Sequence, residues 1–133
     1  MNYYLAKTDP DTYSAEDFKK EGETVWDGVH NFQAINTIRS MRPGDKVYIY
    51  HSQSDKAVVA LAEVTSQPYE NKDDPRASWV VRMKFIKDTP PVTLAEIKNE
   101  PGFSDFLLIR NPRLSTMVVP ENVVAWLNAH LGI

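Results

Sequence analysis

The sequence predicts a mixed α+β barrel of five or six strands, with helices inserted between the first two strands and one helix at the C-terminal end. Apolar or alternating segments recur at short spacing, which is typical of strands, and helical patterns interrupt them after the first. The sequence contains no Gly-x-Gly-x-x-Gly or phosphate loop, which disfavours a doubly wound nucleotide-binding sheet. With 133 residues there is room for one core, so we expect a single domain over residues 1–133.

The first third of the chain predicts one strand and two helices. Residues 2–6 are apolar and favour a strand, and Pro10 ends it. Ser14 is the predicted N-cap of the first helix, which should stop near Gly22. Asn31 is the predicted N-cap of the second helix, whose apolar residues recur at intervals of three: Phe32, Ile35, Ile38 and Met41.

The rest of the chain predicts four strands and two helices. Residues 46–51 and 57–64 are predicted strands of a hairpin. From Trp79 to Phe85 apolar and polar residues alternate, as in a strand with one solvated face, and residues 113–119 favour a further short strand. Thr93 with Glu96 predicts a capping box, and residues 120–130 predict the final helix, with Gly132 just past its end.

Composition narrows the chemistry. Cysteine is absent, which excludes disulfides, thiolate zinc sites and a cysteine nucleophile. His30, His51 and His130 show no ligand spacing, so we expect no metal and no cofactor. The formal charge of −3 argues against a protein that coats long nucleic acids. We find no membrane-spanning run or secretory signal and expect a cytoplasmic protein without a membrane partner.

The densest group of polar and aromatic residues lies at 25–34, which we expect to connect the first two helices. Trp26, with amide side chains nearby, offers a flat surface on which a nucleobase could stack. The alternative is structural: Trp26 fills the bottom of the barrel while Asn31 merely caps a helix. The residues alone leave both interpretations open.

Four motifs, in order along nearly the whole chain, resemble the EVE domain family. This family is part of the PUA-like superfamily and is related to YTH domains and to the thymocyte nuclear protein family. The resemblance is carried by residues 3–10, by Trp-Asp-Gly-Val at 26–29 with Asn31 and residues 33–34, by Gly44-Asp45 leading to Tyr-His-Ser at 50–52, and by Arg-Leu-Ser at 113–115.

The resemblance implies a PUA-like barrel that binds a nucleobase and does not catalyse a reaction on it. The base would be methylated or hydroxymethylated, in DNA, RNA or a nucleoside, and single-stranded or flipped out of a duplex. The base-binding residues that it implies are Trp26 as the stacking ring, Thr8, Asp9 and Ser115 as the pocket lining, and Asn31, Gln33 and Ser52 as the rim. Further contacts to the rim or to the nucleic-acid backbone are assigned to Lys7, His30, Arg39, His51 and Arg113. His30 and Ile35 stand where the family commonly has arginine.

Two other functions are consistent with the residues. A hydrolase could use His51 and Ser52, with Asp27 or Asp45 orienting the histidine, although neighbouring strand residues point to opposite faces. A protein interaction module could instead dock a partner on the apolar side of the last helix. The sequence does not identify a protein partner.

Overall fold

The computed structural model describes residues 1–133 and contains seven strands and five helices. The strands are β1 Tyr3–Thr8, β2 Glu23–Trp26, β3 Lys46–His51, β4 Ala57–Val64, β5 Tyr69–Glu70, β6 Trp79–Thr93 and β7 Thr116–Val118. The helices are α1 Ala15–Glu21, α2 Phe32–Ser40, α3 Leu94–Lys98, α4 Leu107–Arg110 and α5 Glu121–Leu131.

The sheet is mixed and open. Its strand order is β2-β6-β4-β3-β1-β7, with β5 paired to β6 alone. Only β1 and β3 run parallel, and the other pairs are antiparallel. The predicted α+β fold is confirmed, and its sheet is not closed, because the edge strands β2 and β7 form no hydrogen bonds with each other.

The helices between β1 and β3 are separated by a strand that the sequence pattern did not predict. β2 spans four residues, too few to show a period, and it forms by pairing with β6, where Trp26 lies opposite Val81. Residues 25–34 are therefore not a plain connection between two helices. Trp26 ends an edge strand, and residues 27–31 lead from it into α2.

Local signals correctly predicted the N-caps of α1, α2 and α3 and the C-terminal end of α5, whereas α4 was not predicted. Ser14 and Asp17 form a reciprocal capping box at α1, and Asn31 caps α2. Thr93 forms a second box at α3, and Gly132 ends α5 in the left-handed conformation at φ 73°. None of the helices combines the length and the apolarity that crossing a bilayer requires.

The apolar stripe of α5 belongs to the core. Val123, Leu127 and Leu131 are buried, and Tyr48 of β3 donates a hydrogen bond to Asn128 Oδ1 at 2.6 Å. Trp126, beside this stripe, packs edge-on against Phe103 with ring centroids 5.5 Å apart. The face on which an interaction module would dock a partner is therefore occupied by the protein itself.

Candidate functional site

A cavity of about 480 Å³ lies between the two edges of the sheet. Its walls come from the end of β1, the turn at residues 12–13, β2 with the residues that follow it to Val29, and Ser115 just before β7. The sheet is thus open where a barrel would close, and the cavity occupies that opening.

Trp26 is both a core residue and a wall of this cavity. Its side chain is buried, with 7% of its surface exposed. The indole packs against Phe18 and Tyr13, with ring centroids 5.9 Å and 6.3 Å away. The structural interpretation of Trp26 therefore describes part of its surroundings, while the cavity alongside leaves space for a ligand.

Two polar groups at the cavity have no partner within the protein. The indole N–H of Trp26 donates no hydrogen bond within the protein. Among fully buried side-chain polar atoms only Thr89 Oγ1 lacks a partner, so the indole N–H is accessible to solvent. Asp27 is exposed and takes part in no ion pair. Trp26 and Asp27, which both line the cavity, therefore leave an indole N–H donor and a carboxylate acceptor without partners in the protein.

Asp27 was not among the predicted base-binding residues, and the sequence suggested it only as a partner of the histidine in the hydrolase alternative. Its signal in the sequence was its position between Trp26 and Gly28. Gly28 has φ +77°, a left-handed value that suits glycine, and it turns the chain directly after Asp27.

Thr8 and Tyr13 form the opposite part of the wall. Thr8 Oγ1 donates to the main-chain carbonyl of Tyr13 at 2.6 Å, which fixes the turn after β1. The Tyr13 hydroxyl donates to Glu21 of α1. Burial, reinforced by this hydrogen bond, raises the pKa of Tyr13 to about 12. Tyr13 was also missing from the predicted site.

Lys7 and Ser115 lie between this cavity and a second one of about 440 Å³. Lys7 Nζ donates to the carbonyl of Pro112 at 2.8 Å, and the Lys7 amide donates to the carbonyl of Ser115 at 2.8 Å. Burial lowers the pKa of Lys7. The second cavity also contains Ser52 and Arg113. Of the predicted site residues, the structure therefore brings together Lys7, Thr8, Trp26 and Ser115 in the first cavity. Ser52 and Arg113 line the adjoining second cavity.

Three predicted base-binding residues lie outside the linings of both cavities. Asp9 Oδ1 accepts from the amide of Asp11 at 3.0 Å. Asn31 Oδ1 accepts from two amides at the start of α2, at 2.9 Å and 3.1 Å. Gln33 Oε1 accepts from Asn111 at 3.5 Å. Contact of these residues with a base stays a prediction.

Two of the predicted rim residues have partners elsewhere in the protein. His30 lies between Asp74 and Arg76, with Nε2 2.6 Å from Asp74 Oδ2 and Nδ1 2.7 Å from the Arg76 guanidinium. Because the Arg76 guanidinium can only donate, Nδ1 of His30 accepts its hydrogen bond. The neutral imidazole then has its proton on Nε2, which donates to Asp74. Arg39 lies over the ring of Trp79, 4.6 Å from its centroid. Neither residue lines either of these two cavities.

His51 is also fully engaged, and this geometry does not form the hydrolase pair. Its Nε2 accepts from the amide of Ala15 at 3.1 Å, and its Nδ1 lies 3.1 Å from Asp55 Oδ2. The Ser52 hydroxyl donates weakly to the Thr8 carbonyl at 3.4 Å rather than to the histidine. His, Asp and Glu side chains nowhere converge in a group of three that could hold a metal ion.

The open mixed sheet with its five helices and the cavity between the sheet edges define an α+β domain with a candidate ligand site. The family model of the EVE domain matches residues 2–129, so the chain belongs to the EVE domain family. It is 32% identical over 115 residues to mouse thymocyte nuclear protein 1, covering 77% of this chain and 46% of that protein. The chain spans about half the length, or less, of such curated relatives.

Solved structures share the fold. A protein from Agrobacterium tumefaciens superposes with a TM-score of 0.93 at 30% identity, covering 100% of this chain and 94% of that one. Human thymocyte nuclear protein 1, solved in complex with 5-methylcytosine containing DNA, superposes with a TM-score of 0.85 at 22% identity, covering 97% and 96% of the two chains. At that identity, the human structure establishes a common fold.

Proposed function

We propose that this domain binds a modified nucleobase of DNA, 5-methylcytosine in the first instance, in the cavity beside Trp26, without changing it chemically. The observation that carries the proposal is a cavity large enough for a base, lined by the indole of Trp26 and by Asp27, which takes part in no ion pair. The human relative solved with 5-methylcytosine containing DNA supports this choice of ligand.

The cavity has the mixture of surfaces that a base requires. Its volume of about 480 Å³ lies within the range of roughly 300 to 1,000 Å³ found for small-molecule sites. Val25 and Val29 add apolar surface to the indole of Trp26, against which a ring and its methyl group can pack. Burying one methyl group contributes about 0.8 kcal/mol to the free energy of binding.

The free polar groups match the edge of cytosine. A cytosine presents an amino group that donates and ring and carbonyl atoms that accept. The Asp27 carboxylate can accept from the amino group, and the indole N–H of Trp26 and the ammonium of Lys7 can donate to the acceptors. A base stacked inside a duplex cannot reach these groups, so the ligand would be single-stranded or flipped out of the duplex.

Calorimetric titration with nucleosides tests the proposal. We expect 5-methyl-2′-deoxycytidine to bind more tightly than 2′-deoxycytidine by roughly fourfold, the equivalent of one buried methyl group. Asp27→Asn should weaken both, because a neutral amide oxygen is a weaker acceptor for the amino group than a carboxylate. Asp73→Asn, at an exposed carboxylate that lines neither cavity, is the matched control and should bind normally.

Equal affinity for the two nucleosides would contradict recognition of the methyl group, and absence of binding to either would contradict the base site. Titration with the corresponding ribonucleosides and with short DNA and RNA strands shows whether the site prefers deoxyribose or ribose. Tighter binding of the RNA strand would overturn the assignment to DNA.

A further inference from the structure

The second cavity adjoins the first at the end of β1. Lys7 and Ser115 line both cavities, so the two volumes are neighbours separated by this pair. The other walls of the second cavity come from the loop between β3 and β4 and from the loop between α4 and β7.

The lining of the second cavity is positively charged. It contains Lys7, Lys56 and Arg113 and no Asp or Glu. None of these three cations takes part in an ion pair, whereas Lys46 pairs with Glu63 and Lys19 with Asp88. In a chain with a formal charge of −3, an unpaired group of three positive charges marks a place for an anion.

The Lys7 ammonium is held in place by the main chain, and the backbone at Lys56 is fixed as well. The bond from Lys7 Nζ to the Pro112 carbonyl uses one ammonium N–H and leaves the others free to bind a ligand. Lys56 has a left-handed φ of +47°, and its carbonyl accepts from the amide of Leu94 at 2.8 Å. Asp55, the acidic neighbour of Lys56, is directed toward His51 instead of the cavity.

The cavity also has an apolar part, formed by Tyr50, Leu94 and Leu108, and the polar side chains of Ser52 and Gln53. An anion with an attached carbon skeleton would contact both kinds of surface. A phosphate ester on a sugar is such a group, since phosphate oxygens accept several charge-assisted hydrogen bonds from lysine and arginine.

We propose that this cationic cavity binds a phosphate of the nucleotide whose base occupies the first cavity, so that the domain recognises a nucleotide unit rather than a base alone. The inference rests on the proposed function, and it adds Lys56 to the site and assigns Lys7 and Arg113 a common ligand.

The experiment compares 5-methyl-2′-deoxycytidine with its 5′-monophosphate and its 3′-monophosphate by calorimetry, at low and at high salt. We expect one of the monophosphates to bind about tenfold more tightly than the nucleoside, with an advantage that shrinks as salt screens the charges. The position of the preferred phosphate shows on which side of the base the strand continues.

Two variants remove charge from the second cavity without touching the first. Lys56→Asn keeps a residue that tolerates the left-handed conformation, and Arg113→Gln keeps part of the aliphatic stem with a neutral polar end. Both should abolish the advantage of the monophosphate and leave nucleoside affinity unchanged. Lys87→Gln, at an exposed and unpaired lysine on β6, is the matched control and should retain the advantage.

The outcomes separate this inference from the proposed function. If the nucleoside binds and neither monophosphate binds more tightly, the phosphate site is wrong while the base site stands. The phosphate site is equally wrong if the advantage survives both substitutions. If no nucleoside binds but inorganic phosphate shifts the amide resonances of Gln53 and Lys56, the anion site is supported and the base site is contradicted.

Discussion

The hydroxyl of Thr8 donates to the main-chain carbonyl of Tyr13 at 2.6 Å, joining the end of β1 to the turn that lines the cavity with Trp26. This short-range bond spans only five residues, and it fixes one wall of the cavity. The opposing wall, β2, is fixed by pairing with β6. The cavity is therefore shaped by a side-chain to main-chain hydrogen bond on one side and by strand pairing on the other.

Replacing Thr8 with valine should test the first of these contacts. The Tyr13 carbonyl would lose its donor, and we expect a loss of about 1 kcal/mol in the free energy of unfolding, measured by urea denaturation. Nucleoside affinity should fall as well, because the turn is no longer held. Thr8→Ser restores the hydroxyl and should bind as the wild type does; a binding defect in the serine variant equal to that of valine would refute this role of the hydrogen bond.

The role of Trp26 requires a substitution that preserves packing. Trp26→Ala should cost about 3 to 5 kcal/mol because the side chain is buried against Phe18 and Tyr13, and this could unfold the domain. Trp26→Phe keeps an aromatic ring but removes the indole N–H and part of the stacking area. We expect it to remain folded and to bind the nucleoside roughly tenfold more weakly by calorimetry.

Tryptophan fluorescence gives an independent measurement of the same prediction. Ligand binding should quench the wild type and Trp79→Phe, since Trp79 is covered by Arg39 away from the cavity. The quenching should disappear in Trp26→Phe. Undiminished quenching in that variant would place the ligand near another tryptophan.

Asn31 can be tested for its two roles separately. Because its side chain caps α2, Asn31→Ala should cost about 1 kcal/mol of unfolding free energy, as should Ser14→Ala at the cap of α1. Its position outside the cavity predicts unchanged nucleoside affinity in the alanine variant, measured by calorimetry under conditions where the protein is fully folded. Weaker binding by Asn31→Ala than by Ser14→Ala would show that Asn31 contacts the base.

The sequence predicted the local features of this fold. The caps at Ser14, Asn31 and Thr93 were predictable because each depends on residues three or fewer positions apart. The strand β2 was not, because its four residues form a strand only through β6, which lies more than fifty positions away. The open sheet follows from the same tertiary pairing, and periodicity carries no information about closure.

Only some residues of the candidate site could be predicted from the sequence. Family resemblance assigned Thr8, Trp26 and Ser115, which share the cavity although their positions in the chain are far apart. It did not assign Asp27, whose free carboxylate becomes evident only when its partners are sought in three dimensions. Lys56 was missed because its relation to Lys7 depends on how the β3–β4 loop packs beside β1.

The hydroxyl of Tyr13 should make stability sensitive to alkaline pH. The folded protein holds the pKa of Tyr13 at about 12, through burial and the hydrogen bond to Glu21, whereas the pKa of an unfolded tyrosine lies near the ordinary value of 10.0. The contribution of this group is therefore present in full below pH 10 and is lost as the pH rises through about 12, because the unfolded chain releases the proton first. Urea denaturation at several pH values across this window should show a decline in stability that is smaller in Tyr13→Phe.

Burial also raises the pKa of Tyr50, so a decline of reduced slope should persist in the Tyr13→Phe variant. A slope identical to that of the wild type would mean that Tyr13 does not hold its proton more tightly in the folded state, and that its wall of the cavity is more solvated than the structure indicates.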